Sequence, residues 1–352
     1  MGYVFGPVPS RRLGHSLGVD PVPLKTCNWS CVYCQLGRTR PLTNERKDYA
    51  PPGDVVAEVR TALEEHAGGV DWITFAGSGE PTLHASLGRM IRDVKGLTAI
   101  PVAVLTNGAL LDRPGVRRDL LAAAAVLPTL DAGSEEVYRR VNRPRGGLTF
   151  AGLVEGLVAF RREYPGRLWI EVMLVQGLND SKESLAEIAA VLRRVGPDAV
   201  HVNTPVRPPA ERWVAPPDVE TVRLAVSMLG RTARDLAPAE PAFDLSPSAD
   251  GTDAVLELLA RHPMDLGELG GVLPRWSVAQ LGEALERLRA AGRVGTVTRG
   301  GRRFWTSPLA RYADTDRASR SHRGSRSAHA PQKVDPRTST AATEPAKRIK
   351  QG

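Results

Sequence analysis

Cysteine is nearly missing from this chain: three residues in 352, all between positions 27 and 34. An odd number crowded into eight positions is no disulfide framework, and it points to a reducing compartment, the cytoplasm. No apolar run approaches the ~18–20 residues of a membrane span. The opening MGYVFGPVPSRRLG also lacks the pattern of a signal peptide. Secreted and integral-membrane classes are therefore poor fits, and no membrane partner is expected.

One-sided charge is scarce over most of the length. The net charge is +8, but residues 313–352 carry nine Lys/Arg against four Asp/Glu and supply +5 of it. The basic character belongs to a tail on a nearly balanced body, so composition gives no reason for the whole surface to grip nucleic acid. The same 313–352 segment is poor in large apolar residues and cannot bury enough surface to fold; it reads as a disordered basic tail.

What is present up to residue 236 is alternation. β-rich runs at 16–22, 71–77, 101–108, 126–132, 168–175 and 199–206 are separated by helix-period segments. Asp54 is placed to cap a helix burying Val55, Val56, Val59, Ala62 and Leu63. Asp180, with Glu183 three residues on, makes a capping-box-like start for a helix burying Leu185, Ile188 and Leu192. Further helices fit 83–94, 116–124, 150–163 and 219–236. Six strands alternating with helices predict an α/β fold with a parallel sheet and helices outside, short of the eight units of a closed barrel. Residues 237–250 read as a Pro-rich linker. Helices at 253–261, 266–272 and 277–291, then a hairpin of 293–298 and 302–306 joined by Gly300-Gly301, predict a winged helix-turn-helix-like domain over 251–312.

The three cysteines, Cys27, Cys31 and Cys34, stand in the spacing C-x3-C-x2-C. Three thiolates on one loop can cap three corners of a [4Fe–4S] cubane, and no fourth cysteine exists to close the last iron. An open iron admits a substrate or cofactor, where an electron-transfer ferredoxin would fill all four positions. A Cys3His zinc site using His15, His66, His84 or His201 is the competing reading, although the second cysteine pair usual in zinc motifs is absent.

With Tyr33 immediately before the last cysteine, this loop resembles the hallmark of the radical S-adenosylmethionine (SAM) superfamily. The resemblance implies a partial (β/α)6 TIM-like barrel with the cysteine loop after its first strand. It also implies SAM on the open iron, a 5′-deoxyadenosyl radical that abstracts hydrogen, and a low-potential electron donor such as flavodoxin or ferredoxin. Gly77-Ser78-Gly79-Glu80-Pro81 is similar to the family's glycine–glutamate motif. There, glycines let backbone approach the methionyl part of SAM, and Glu80 would accept from its ammonium. Thr106-Asn107-Gly108 matches the family's third strand end, near the methionyl or ribose region, and is equally readable as a turn. Asp131 sits where the family often places a polar group for the ribose, with a helix N-cap as the rival reading. Glu171 reads as an internal polar partner, and Asn203 and Arg207 as candidates to reach adenine or substrate. No catalytic residue is assigned.

The segment from Gly6 to Gly14 followed by 16–20 resembles a branch of uncharacterised Fe–S oxidoreductases related to the radical SAM enzymes of wyosine tRNA synthesis. Their additional upstream cysteines are missing here, as is a cysteine-rich C-terminal extension. In the same segment Arg11-Arg12 sit on a Pro/Gly-framed loop and could clamp a phosphate or carboxylate, or simply be solvated. Arg287 and Arg289 on the third C-terminal helix and Arg293, Arg299, Arg302 and Arg303 on the hairpin suit phosphate contacts, while Glu283 and Glu286 do not. Three functions follow from these residues: radical SAM modification of a tRNA or nucleoside, radical SAM modification of a peptide, protein or small metabolite, or a DNA-binding Fe–S sensor. RNA, DNA or protein contact through the appended domain and tail belongs to each in a different way.

Overall fold

A computed structural model describes residues 2–236, 251–273 and 275–313. The proposed linker at 237–250 and the tail after residue 313 lie outside the described residues.

One eight-stranded sheet organises the first 236 residues, in the spatial order β1 to β8. β1 (Val4–Ser10) runs antiparallel to β2 (Gly14–Val19). From β2 onward every neighbour is parallel: β3 (Trp72–Phe75), β4 (Val102–Thr106), β5 (Ala125–Pro128), β6 (Arg167–Met173), β7 (Ala199–Asn203) and β8 (Ala233–Asp235). Among the described residues the last strand does not return to pair with the first, so the sheet is open between β8 and β1.

The six predicted strands are all present, and the prediction missed the two at the edges. Residues 4–10 are a strand and not a loop, even though Pro7 and Pro9 read as turn formers. An edge strand tolerates proline because one side of its backbone needs no partner. β8 occupies the end of what periodicity assigned to one helix at 219–236: α7 (Val219–Leu229) stops at Gly230, whose φ of +114° no L-residue adopts readily.

The crossover helices α1 (Pro52–Glu65), α2 (Leu87–Leu97), α3 (Pro114–Leu120), α4 (Glu135–Val141), α5 (Phe150–Glu163) and α6 (Lys182–Val195), with α7, bury their apolar stripes on one face of the sheet. Along β6, Leu168, Ile170 and Val172 join that core. Trp169, Glu171 and Met173 face the other way, as the two-residue strand period requires. The opposite face carries a smaller apolar cluster of Leu13, Ala103, Ala125 and Leu127 with Trp72, Leu105 and Trp169.

Two caps differ from expectation. α1 begins at Pro51 without a side-chain cap, and Asp54 lies inside its first turn, where a carboxylate still suits the helix dipole. Ser181, not Asp180, caps α6 by accepting from Ser184 N–H; Asp180 turns back to accept from Gly177 N–H.

Residues 251–313 form α8 (Gly251–Arg261), α9 (Leu266–Val272), α10 (Val278–Ala290) and a hairpin of β9 (Gly295–Arg299) and β10 (Arg302–Thr306) around their own small core. This unit is seated on the sheet domain. Tyr312 OH donates to the Gln35 carbonyl at 2.6 Å, Arg207 donates to the Pro263 carbonyl, and Gly37 pairs with Arg311. Among the described residues no helix is long and apolar enough to cross a membrane.

Candidate active site

The parallel strands fix where chemistry can gather, because their C-terminal ends all point one way and the loops leaving them converge. After β2 the chain enters residues 20–47, which hold all three cysteines. This loop has almost no regular structure of its own and is held by backbone bonds to others. Ser30 N–H donates to Asn142 O at 3.1 Å, Val32 N–H to Val141 O at 2.9 Å, and Arg145 N–H to Asn28 O at 2.8 Å. The segment following α4 is thus the mould against which the loop sets. Trp29, 1% exposed, packs edge-on against Tyr138 of α4.

Each thiol has an N–H donor facing it. Trp29 N–H lies 3.4 Å from Cys27 Sγ, Asn142 Nδ2 3.7 Å from Cys31 Sγ, and Lys25 Nζ 3.1 Å from Cys34 Sγ; Asn107 Nδ2 adds a longer 3.8 Å approach to Cys27. Burial pushes the Cys27 thiol up to about 12, helped by the Glu80 charge and opposed by Lys25, and it raises Cys31 further. Left alone, such thiols would stay protonated. The donors around them are instead what sulfur acceptors of a thiolate-bound group need, and the donor set fits an iron–sulfur cluster. Lys25 holds a left-handed backbone, φ +63°, and its own N–H donates to Ser78 O, so the ammonium is placed by the neighbouring turn.

That turn is 77–80, between β3 and the short 3-10 turn Pro81–Leu83. Gly77 has φ +130°, and a Cβ on it would stand 2.5 Å from the Asp20 carboxylate; a Cβ on Gly79 would stand 2.1 Å from the Thr26 carbonyl. Ser78 N–H and Oγ both donate to Asp20 Oδ2, at 3.1 and 2.6 Å. The glycines therefore let this turn press against the start of the cysteine loop. Asp20 is paired in turn with Arg261 of α8 at 3.1 Å, both side chains about 5% exposed or less.

Glu80 is buried and engaged. Oε1 accepts from Thr82 N–H at 3.0 Å and from the hydroxyls of Thr82 and Thr106 at 2.6 Å; Oε2 accepts from Asn107 N–H at 2.7 Å. Burial raises its pKa against these four bonds, which all favour the ionised form. Asn107 carries the link onward, donating from Nδ2 to Asn28 Oδ1 at 2.5 Å.

Asp131, past the end of β5, is 1% exposed. Oδ2 accepts from Tyr33 OH and from Asn142 Nδ2, both at 2.6 Å, and Oδ1 accepts from Met173 N–H at 2.8 Å. It does not cap α4, whose N-cap is Ser134. Desolvation pushes its pKa up to about 6.

Every residue proposed to hold the cluster or SAM thus lies in one hydrogen-bonded patch around the cysteines; Arg207, read as a candidate to reach adenine or substrate, instead donates to the Pro263 carbonyl, and Asn203 stands on β7 outside the patch. The residues missed were Asp20, Lys25, Asn28, Asn142 and Arg261. Asp20 and Lys25 flank the motif and Asn28 lies inside it, so these could have been flagged by proximity; Asn142 and Arg261 come from distant segments. The histidines weighed as a fourth zinc ligand are engaged elsewhere. His15 pairs loosely with Asp71, His66 ends α1, His84 meets the Ala50 backbone and His201 meets Arg234. Among the described residues no three His, Cys, Asp or Glu side chains are arranged to hold a single metal ion.

A model of the Radical SAM superfamily matches residues 22–189. The chain is 43% identical over 204 residues to a Brachyspira hyodysenteriae protein named GTPase Obg, covering 58% of this chain; it spans only 30% of that relative's length. It is 35% identical over 269 residues to a UPF0026 protein of Methanocaldococcus jannaschii, covering 75% of this chain and 84% of the relative. Among solved structures, a radical SAM methyltransferase from Sphaerobacter thermophilus matches at 23% identity and a TM-score of 0.47, over 62% of this chain and 65% of that one.

Proposed function

Because the chain belongs to the radical SAM superfamily, we propose that Cys27, Cys31 and Cys34 hold its single cluster and that its substrate is a nucleoside carried in RNA. The chain is a radical SAM enzyme, with a [4Fe–4S] cluster and SAM as its cofactors. When bound and reduced, this pair supplies a 5′-deoxyadenosyl radical by one-electron cleavage of SAM.

The chain's own residues hold and orient. Three thiols on one loop, each met by an N–H donor, with no fourth cysteine in the sequence, carry the reading. Lys25 places a cation 3.1 Å from Cys34 Sγ. Tyr33, Asp131 and Asn142 brace the loop from β5. The 77–80 turn presents backbone for the methionyl part of SAM, and Glu80 offers the ammonium its less-used Oε2 while fixing Asn107. Burial of this patch excludes water from the reacting groups.

The choice of RNA rests on the likeness of residues 6–20 to the wyosine branch and on the basic excess of residues 313–352. We read α8 to α10 and the hairpin as a winged-helix-like docking unit. Three of its arginines are already matched with acids, Arg302 with Asp265 and both Arg289 and Arg303 with Glu286, which favours docking over an operator-reading role. The test is to incubate cluster-loaded protein anaerobically with dithionite, SAM and bulk tRNA, then digest the tRNA and compare nucleoside masses. A new nucleoside mass that needs SAM supports the RNA reading. SAM cleavage with unchanged nucleosides, at any salt, moves the substrate to a peptide, protein or small metabolite.

A further inference from the structure

The open side of the sheet, between β8 and β1, holds charged and polar groups that the cofactor patch leaves unused. In the turn at 11–13, Leu13 enters the smaller apolar cluster on the sheet face away from the helices, and Arg12 pairs with Glu171 of β6. Arg11 beside them is partly buried, and among the described residues it makes no hydrogen bond and no ion pair. Burial lowers its pKa, and the adjacent Arg12 lowers it further. Arg207 acts the same way more weakly, against an opposing pull from Glu171 and Asp235. A guanidinium held partly out of water, beside a second one and without a carboxylate of its own, is a cation short of an anion.

A second observation comes from β7. His201 and Asn203 are two apart and, alternating with Val200 and Val202 of the main core, share the sheet face away from the helices, both buried. The Arg234 guanidinium donates to His201 Nε2 at 2.8 Å, and burial holds the ring neutral, its pKa pushed down to about 4. The single ring proton therefore sits on Nδ1, and that buried N–H has no partner; neither has Asn203 Oδ1. Buried polar groups in folded proteins are paired about nine times in ten. Two orphans on one strand face, opposite Glu171 and Met173 in the β6 register, mark a position that a ligand completes.

We infer that this open edge is a substrate subsite for an oxyanion, a phosphate or carboxylate of the molecule being modified, bound by Arg11 and by the His201 Nδ1–H. Glu171 holds Arg12 in place behind it, and Asn203 Oδ1 accepts from a hydroxyl of the same ligand. The inference deepens the radical SAM reading and rests on it for the identity of the substrate.

The Trp169 ring lies 5.6 Å from His201 and reports on the site. The full chain would be titrated with pyrophosphate and, separately, with malonate at fixed ionic strength, following tryptophan fluorescence and heat of binding. One anion should bind saturably, with affinity at least tenfold lower in Arg11→Gln and partly recovered in Arg11→Lys. His201→Phe, which removes a buried unpaired donor and leaves Arg11 intact, should also weaken binding and serves if Arg11→Gln does not fold. Preference for pyrophosphate assigns a phosphate ester, and preference for malonate a carboxylate. Binding of neither, or equal binding in wild type and the variants, overturns the inference; the latter would mean anions collecting on other basic residues. The cluster reading is scored separately: protein that cleaves SAM but binds neither anion loses only this subsite.

Discussion

Glu80 and Asp131 give seven of their acceptor positions to the protein itself, whereas His201 Nδ1 and Asn203 Oδ1 on β7 have no partner and Arg11 makes no hydrogen bond or ion pair among the described residues. The first arrangement pre-organises: a carboxylate tied on several sides holds its loops still before any cofactor arrives. The second waits. Polar groups are left short where a ligand supplies the missing partner; Asp20 Oδ1, Asn28 Nδ2 and Asn142 Oδ1 are left short inside the cradle as well, so what marks the cradle is its multiply tied carboxylates rather than complete pairing.

The comparison breaks most completely at the thiols. Cys31→Ala should lose the brown cluster absorbance altogether after reconstitution, since nothing else among the described residues stands in as a ligand. Next is the buried pair linking the appended unit to the cradle. Arg261→Met leaves Asp20 charged in a site 4% exposed and should lower unfolding stability by about 3–5 kcal/mol in a urea melt. SAM affinity should fall with it, because Asp20 holds Ser78. Glu80→Gln presents an amide where four donors converge, costing about 1–3 kcal/mol and weakening SAM binding with the cluster still formed.

The pH dependence is smaller and has a definite sign. Burial pushes His201 down to about 4 and His262 to about 3, below the ordinary 6.5. Between these values the unfolded chain binds the protons and the folded chain does not, so stability is lost as pH falls below about 6.5 and is fully present above it. Each histidine contributes at most ~1.4 kcal/mol per pH unit. The slope of unfolding free energy between pH 6 and 4.5 should flatten in His262→Phe. At the small end, Arg303→Ala breaks an exposed pair with Glu286 and should change stability by no more than about 1 kcal/mol.

Local pattern exposed much of this. α5 at Phe150–Glu163 and α9 at Leu266–Val272 follow the sequence periodicity to the residue, and the cysteine and glycine motifs landed side by side. What escaped was long-range. β1 hides behind Pro7 and Pro9, and three-residue β8 has no period to detect. Nothing in the neighbourhood of Asp20 announces that its partner lies 241 positions away. Asn142, moulding the loop from behind α4, is invisible for the same reason. The role of Glu80 was only half legible: its motif suggested a ligand, while its four bonds show a brace, which no spacing rule encodes. Arg11 and Arg12 looked alike in sequence, and only the fold pairs one of them and leaves the other open.

The most direct test of the account is SAM cleavage itself. Protein reconstituted anaerobically with iron and sulfide, reduced with dithionite and given SAM should form 5′-deoxyadenosine, and the Cys27, Cys31 and Cys34 alanine variants should each form none. A well-formed cluster that never binds or cleaves SAM would contradict it.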